Sequence, residues 1–235
     1  MDITIVIPTY NESENLPILI EKIVKVLDEN SLEGEIIVVD DDSPDGTWRK
    51  ALELKNLYGN LEVLRRQGRK GLSSAVLEGF EMSVSPILGV MDADLSHPPE
   101  KIPELVGPII KGEADITIGS RYIEQGGIEK WTLARKIYSR AATMLVLGLT
   151  DVKDPMSGFF FLRKEVIENA NLNPKGFKIG LEILVRGEYE NVAEVPIVFG
   201  DRQYGESKLG GGVVLDYLIH LSNLYIYKFL KRTKA

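Results

Sequence analysis

The chain has 235 residues, 44% of them hydrophobic and 27% charged, with 35 acids against 28 bases and a formal net charge of −7. That balance suits one α/β domain with a sizeable core, and it excludes a disordered tail, a fibrous repeat and a general nucleic-acid coat. There is no cysteine, and the only histidines are His97 and His220. Disulfides, thiolate nucleophiles and multi-histidine metal sites are therefore excluded, and any metal must be a hard cation held by oxygens.

The chain enters a strand-like run at once, without the basic segment and apolar core of a secretory signal. No stretch reaches the ~20 apolar residues of a membrane span, so a soluble or peripheral protein is expected. Residues 3–8 are a β-branched run stopped by Pro8. Asn11 followed by Glu14 has the spacing of a capping box, and Leu16, Leu19, Ile20, Ile23, Val24 and Leu27 then form one helical stripe. Residues 35–40 carry Ile36, Ile37, Val38 and Val39 without interruption, the pattern of a parallel strand buried on both faces. Further strands are expected at 61–64, 86–92 and 114–119, with helices near 47–58, 72–83 and 99–111. Such β-α-β-α order predicts an α/β fold with an open, mostly parallel sheet flanked by helices. Past Gly119 the pattern changes to a polar loop at 124–130 and a helix marked by Leu133, Ile137, Ala141, Met144 and Leu145. Strands at 158–163 and 192–199, a helix at 177–188, a Gly-rich loop at 200–212 and a C-terminal helix complete the reading.

Ligands of open α/β sheets collect at the carboxyl ends of strands. The strands here end in Pro8-Thr-Tyr-Asn-Glu12, Asp40-Asp-Asp-Ser-Pro-Asp45, Asp92-Ala-Asp94 and Gly119-Ser-Arg121. Asp92 and Asp94, two apart in extended chain, point the same way and suit one divalent ion, with a diphosphate and waters completing its shell. Helix capping by one of them, or by Ser96, is the simpler alternative but accounts for only one carboxylate. Asp45 reads as a turn or cap residue, whereas the consecutive Asp40, Asp41 and Asp42 repel one another unless a ribose or base binds there. Arg65, Arg66, Arg69 and Lys70 precede a helix start and suit either an anion or a solvated loop. Arg202 and Lys208, in the Gly-rich loop, are placed to close over a phosphate, and Arg121 and Arg135 lie beside Ser139 in the second half. His97 reads as a metal ligand or as a helix-entry hydrogen-bond partner. A P-loop, a G-x-G-x-x-G fingerprint and a G-x-S-x-G elbow are all absent.

Taken in order, Val6-Ile-Pro-Thr-Tyr-Asn-Glu12, Asp41-Asp-Ser-Pro-Asp-Gly-Thr47, Gly71-Leu-Ser-Ser-Ala75, Asp92-Ala-Asp-Leu-Ser-His97, Gly119-Ser-Arg-Tyr122, Ser157-Gly-Phe159 and Gly205-Glu-Ser-Lys-Leu209 cover nearly the whole chain. The ordered set resembles the polyprenyl-phosphate glycosyltransferases with the GT-A nucleotide-diphospho-sugar transferase fold. Within them it is most similar to the dolichyl-phosphate mannose synthases, in the short form without transmembrane spans. The resemblance implies a GDP-mannose donor, a dolichyl or other polyprenyl phosphate acceptor, and Mg2+ or Mn2+. It implies that Pro8, Tyr10, Glu12, Asp40 or Asp42, and Lys70 hold the nucleotide sugar, that Asp92 and Asp94 hold metal and diphosphate, and that Arg202 and Lys208 clamp the diphosphate. Arg121, Arg135 and Ser139 would meet the acceptor phosphate. Asp94, Arg121, Arg202 and Lys208 thus carry the catalytic assignment. Ser96 stands where some relatives place Gln, which weakens it as a third metal contact.

An acceptor phosphate is already anionic near neutral pH, so the chemistry needs charge screening rather than a strong base, and direct displacement inverts the anomeric carbon. The expected layout is a transferase domain at 1–212, with a nucleotide side at 1–120 and an acceptor side at 121–212. A C-terminal amphipathic helix follows at 213–235. Its apolar stripe, Val214, Leu215, Leu218, Leu221, Tyr225 and Leu230, is followed by basic residues, so the helix either packs on the domain or lies in a membrane interface. The expected location is the cytoplasmic face of a membrane, bound peripherally or through small membrane subunits, with no nucleic-acid partner. A glucosyl donor, and a non-catalytic subunit that binds nucleotide sugar or lipid phosphate, are the alternatives.

Overall fold

A computed structural model describes residues 2–68, 71–129, 132–173, 178–201 and 211–232, with the side chains at 133–136, 211–216 and 232 excepted. The first half of the chain alternates as read from the sequence: β1 (Ile3–Thr9), α1 (Asn15–Glu29), β2 (Gly34–Asp40), α2 (Thr47–Lys55), β3 (Leu61–Arg65), α3 (Leu72–Met82) and β4 (Ile87–Val90). A 3-10 turn over Pro99–Lys101 leads into α4 (Ile102–Ile110) and β5 (Ile116–Ser120). Next come β6 (Gly127–Ile128), α5 (Leu133–Met144), β7 (Phe160–Arg163), α6 (Glu165–Glu168) and α7 (Ile179–Arg186). The chain closes with β8 (Val192–Pro196), β9 (Val198–Phe199) and α8 (Gly211–Arg232).

The main sheet has the order β3-β2-β1-β4-β7-β5-β8, and β6 pairs with β9 in a second, two-stranded sheet. Pairings β1–β2, β1–β4, β2–β3 and β5–β8 are parallel, while β7 runs antiparallel to both β4 and β5. Side chains alternate across each strand, which divides the core between the two faces. Ile3, Ile5, Ile7, Ile36 and Val38 pack with the α1 stripe and with Leu105 and Val106 of α4. Val6, Ile37, Val39, Leu88 and Val90 pack with Val76 and Phe80 of α3 and Ile183 of α7. Both faces are covered, as uninterrupted apolar strands require.

Three local features differ from the sequence reading. The Asn11–Glu14 capping box does not form: α1 begins at Asn15 with no side-chain cap, and Asn11 takes a left-handed φ of 59°. Its stripe does hold, with Leu16, Leu19, Ile20, Ile23 and Leu27 buried. The run expected as one strand at 192–199 splits at Ile197 into β8 and β9, so the chain leaves the main sheet and pairs with β6. α8 buries Tyr217, Leu221 and Leu224 beside Leu149, Met156 and Leu181, whereas Leu218, Tyr225 and Leu230 of the expected stripe face solvent. Spacing alone gives a period, and the surface already present on α5 and α7 selects which phase is buried.

Candidate active site at the carboxyl edge of the sheet

β1 lies between β2 and β4, so the chain leaves its carboxyl end at the topological switch point where open sheets gather ligands. The loops after β1 and β2 are stitched together by backbone N–H groups. Asn11 donates to Ser43 Oγ at 3.0 Å, Glu12 to Thr47 Oγ1 at 2.9 Å, and Ser13 to Asp45 Oδ2 at 3.1 Å. Glu12 is buried, and its carboxylate accepts from Asn15 Nδ2 at 2.7 Å. Pro8 and Tyr10 are half-buried on the same edge.

The three consecutive aspartates do not share one surface. Asp40 is fully buried and accepts from Thr9 Oγ1 (2.8 Å), Ser43 N (2.8 Å) and Ser43 Oγ (2.6 Å), which clasps the ends of β1 and β2. Asp41 accepts from Arg66 Nε at 2.7 Å and from Gly71 N at 2.8 Å. Arg66, itself buried, continues to Ser74, Glu78 and the Gly71 carbonyl. Asp42, with φ 55°, accepts from Arg65 Nε at 2.6 Å, and Arg65 stacks 3.7 Å over the Trp48 ring. The repulsion that the sequence reading reserves for a ligand is relieved internally by Arg65 and Arg66. Arg66 is an internal ion-pair residue joining β2, β3 and α3 rather than a member of an anion-binding cluster. Of the aspartate pair assigned to the nucleoside, Asp42 is the half-exposed member, and Asp40 is spent inside the fold.

Asp92 and Asp94 follow β4 on the same edge, both half-buried. Ser96 N and Oγ both donate to Asp94 Oδ1, so this buried serine orients the carboxylate. The turn places Leu95 at φ 63°, a costly conformation for a residue with a branched side chain, and such outliers are held only where their surroundings over-determine them. His97 is nearly fully buried, stacked on Phe159 and edge-on to Phe199, each at 5.3 Å. Its Nδ1 accepts the Asp92 N–H at 3.3 Å, and burial pushes its pKa down to about 4. The ring is thus a neutral support beneath Asp92, held by the backbone N–H of the chain as it leaves β4. Among the described residues, no group of three or more His, Cys, Asp or Glu is arranged to hold a metal ion.

The other half of this edge is built by the antiparallel β7, whose amino-terminal approach lies beside the carboxyl ends of β4 and β5. Arg121 follows β5 and is held by Asp154 through Nε and Nη2, each at 2.7 Å, with its backbone N–H adding 2.9 Å. Burial opposes the arginine's charge, but the fully buried Asp154 outweighs it, and the guanidinium pKa lies above its ordinary value. Glu194 of β8 accepts from the backbone N–H groups of Lys153 and Asp154 and fixes that turn. Ser157 Oγ donates to Gly119 O at 2.7 Å, and a Cβ on Gly158 would lie 2.6 Å from Asp92 Oδ2. A side chain at this position would therefore push the Asp92 carboxylate aside. Ser139 on α5 shares a 2.8 Å hydrogen bond with Tyr122 OH, which brings α5 to the Arg121 side. Lys178, at the entrance to α7, donates to Met156 O at 3.1 Å. Lys70, Arg202, Lys208 and the side chain of Arg135 lie outside the described residues.

The sequence reading missed Asp154, Glu194 and Lys178 as contributors, and it quoted Gly158 only within a motif, without a role. Asp154-Pro155 reads as turn chemistry, and its position three residues before Ser157-Gly-Phe159 was the available signal. Sheet order and edge loops together define the GT-A-like nucleotide-diphospho-sugar transferase fold. The chain belongs to glycosyl transferase family 2, whose family model matches residues 4–170. A dolichol-phosphate mannosyltransferase of Pyrococcus furiosus is 51% identical over 231 residues, covering 95% of this chain. The chain spans 64% of that relative's length. A dolichol-phosphate mannosyltransferase of Saccharomyces cerevisiae is 39% identical over 239 residues, covering 97% of this chain and 89% of the relative. Among solved structures, glucosyl-3-phosphoglycerate synthase from Mycobacterium tuberculosis, in complex with Mn2+, UDP-glucose and phosphoglyceric acid, superposes with a TM-score of 0.69 at 20% identity. The match covers 94% of this chain and 80% of that one, a likeness of fold.

Proposed function

We propose that the protein transfers mannose from GDP-mannose to a polyprenyl phosphate of the dolichyl type, with inversion at the anomeric carbon. The observation that carries this reading is one edge with two opposite electrostatic halves. The carboxylates Asp92 and Asp94 stand after β4, and the buried, permanently charged Arg121 stands after β5. The names of the 51% and 39% identical relatives support a mannosyl group and a dolichol phosphate acceptor.

Two half-buried carboxylates are a hard, acceptor-only donor set. They fit Mg2+ or Mn2+ that draws its remaining ligands from a diphosphate and water. When bound, such an ion would neutralise the leaving diphosphate. The chain's own residues do the rest. Asp42, Glu12 and the stitched loops shape the nucleoside end, with Pro8 and Tyr10 lining it. Arg121 offsets the negative charge of the incoming phosphate, to which Arg135 and Ser139 are also assigned. Arg202, Lys208 and Lys70 are assigned to the donor diphosphate. A phosphate oxygen of the acceptor bonds to the anomeric carbon as the bond from that carbon to the diphosphate oxygen breaks, and GDP departs. No proton has to be removed from the nucleophile, so no general base is required.

Access to a lipid acceptor fits the outer surface. Ile137, Tyr138, Met144, Leu145 and Leu147 are exposed on and after α5, and Leu218, Ile219, Tyr225, Ile226, Phe229 and Leu230 are exposed on α8. The two groups adjoin: Tyr225 OH donates to Leu145 O at 2.8 Å, and Lys228 Nζ donates to Leu149 O at 2.9 Å. None of the described helices is long and apolar enough to cross a membrane. The exposed apolar surface of α5 and α8 is the part of the chain that we assign to a peripheral seat on the cytoplasmic leaflet, alone or with small membrane subunits.

The test is organic extraction after incubation with labelled GDP-mannose, polyprenyl phosphate and Mg2+ or Mn2+, with labelled UDP-glucose in parallel. Label from GDP-mannose should enter the lipid phase, and Asp94→Asn should lower that transfer by about a hundredfold or more. Transfer from UDP-glucose alone would overturn the donor assignment, and near-normal activity of Asp94→Asn would overturn the metal assignment.

A further inference from the structure

Tyr122 ends the Gly119-Ser-Arg-Tyr122 motif, and the fold uses it to join the end of β5 to α5. The Arg121 guanidinium lies 5.3 Å from the centre of the Tyr122 ring and the same distance from that of Phe199, within reach of both aromatic rings. From there the tyrosine side chain crosses to α5, where its hydroxyl meets Ser139 Oγ at 2.8 Å. The two residues are 17 positions apart, so this bond holds α5 against the Arg121 turn.

Two hydroxyls joined by one hydrogen bond have two protons and spend one of them on each other. Among the described residues, no other side chain bonds either hydroxyl. A phenol is the stronger acid and the better donor, so Tyr122 donates to Ser139, and the serine keeps its own proton for a third oxygen. Donation from the tyrosine polarises the serine O–H and strengthens the bond that it makes next. The surroundings of the pair say what that third oxygen belongs to. On one side is Arg121, whose positive charge is secured by Asp154. On the other, Ile137 and Tyr138, which precede Ser139 on α5, are 58% and 76% exposed. A cation flanked by a hydroxyl donor suits an oxyanion, and the adjoining apolar surface suits an oxyanion carried on a hydrocarbon chain.

We propose that Tyr122 is a positioning residue for the acceptor: its hydroxyl orients Ser139 so that the serine O–H reaches a phosphate oxygen of a prenyl phosphate whose charge Arg121 offsets. This deepens the transfer reaction proposed above and rests on its phosphate acceptor. The tyrosine acts through the serine, so its effect vanishes where the serine hydroxyl is gone.

A double-mutant cycle on the full chain reads that dependence directly. Tyr122→Phe keeps the ring beside Arg121 and removes the hydroxyl, and Ser139→Ala removes the group that meets the phosphate. Both residues are half-buried, so each variant should melt within about 5 °C of the wild type. The probe is a water-soluble, short-chain prenyl phosphate, titrated calorimetrically in the presence of GDP and Mg2+. Tyr122→Phe should weaken its binding about fivefold and Ser139→Ala about tenfold, and the double variant should match Ser139→Ala within about twofold. In transfer assays the acceptor KM of Tyr122→Phe should rise similarly while the donor KM stays within about twofold. Unchanged prenyl phosphate affinity in Tyr122→Phe would overturn the proposal. So would additive losses in the double variant, equal losses of donor and acceptor binding, or absence of prenyl phosphate binding by the wild type. Prenyl phosphate binding that follows the cycle, without transfer of label from GDP-mannose, would support the role of Tyr122 and overturn the sugar transfer instead.

Discussion

Arg121 keeps its charge in a buried place because Asp154 meets it edge to edge, with two guanidinium contacts of 2.7 Å and a backbone N–H on the same carboxylate. Breaking one partner of a buried pair leaves the other uncompensated, a cost of roughly 3–5 kcal/mol. Asp154→Asn should therefore show a fall of that size in denaturant unfolding, together with loss of transfer. A variant as stable as the wild type would mean that the pair carries little of the fold. At this scale the sequence was partly legible. The position of Asp92 and Asp94 just past β4 was readable, but the chain there turns instead of running extended, so the spacing of two does not set how the carboxylates face. Asp41 and Arg66 are 25 positions apart, and nothing local says that they meet at 2.7 Å. Asp154 and Lys178 escaped for the same reason, since their partners are chosen by sheet order and not by neighbours in the chain.

At the scale of elements, rigid strands aim the site and short side-chain stitches hold its loops. Asp45 does this for two loops at once. It forms an Asx turn to Thr47 N at 3.0 Å at the start of α2 and accepts Ser13 N at 3.1 Å from the loop after β1. Partial burial pushes the Asp45 pKa up, but the hydrogen bonds from Thr47 and Ser13 outweigh it, and the net shift is below the ordinary 3.8. A lowered folded pKa contributes stability above the unfolded value and loses it as pH falls through the folded one. Asp45→Ala should cost about 1 kcal/mol in urea unfolding near neutral pH, and the gap from wild type should shrink as the pH drops below the carboxylate range. A gap independent of pH would remove the charge from this account. The alternation of strands and helices through β5 was readable because parallel strands advertise themselves as uninterrupted apolar runs. The placement of β7 was not, because Phe160, Phe161 and Leu162 form an apolar run with no mark of direction.

Across the whole molecule, an acidic average of −7 conceals an ordered distribution. Aspartates gather at the ends of β2 and β4, Arg65 and Arg66 meet those of β2, and an apolar skin covers α5 and α8. That skin is exposed although α8 is firmly docked through Tyr217, Leu221 and Leu224, so its outer face can be altered without opening the core. Phe229 is 68% exposed and Ile226 57%. Replacing both with Asp should lower partition onto anionic vesicles by roughly tenfold or more and leave the melting temperature nearly unchanged. Full vesicle binding by the folded double variant would locate the membrane contact elsewhere.

The position of β7 also governs how the chain can be assembled. β5 belongs to the first half of the sequence, yet it reaches β4 only through β7, which is made some forty residues later. A fragment ending after β5 would hold a strand with no neighbour to pair with in the main sheet. Synthesis from the amino terminus thus leaves β5 waiting until Phe160–Arg163 emerges and closes the gap. The two sides of the active site become one cooperative unit at that single event, so neither half is available as a module to be cut out, swapped or folded alone.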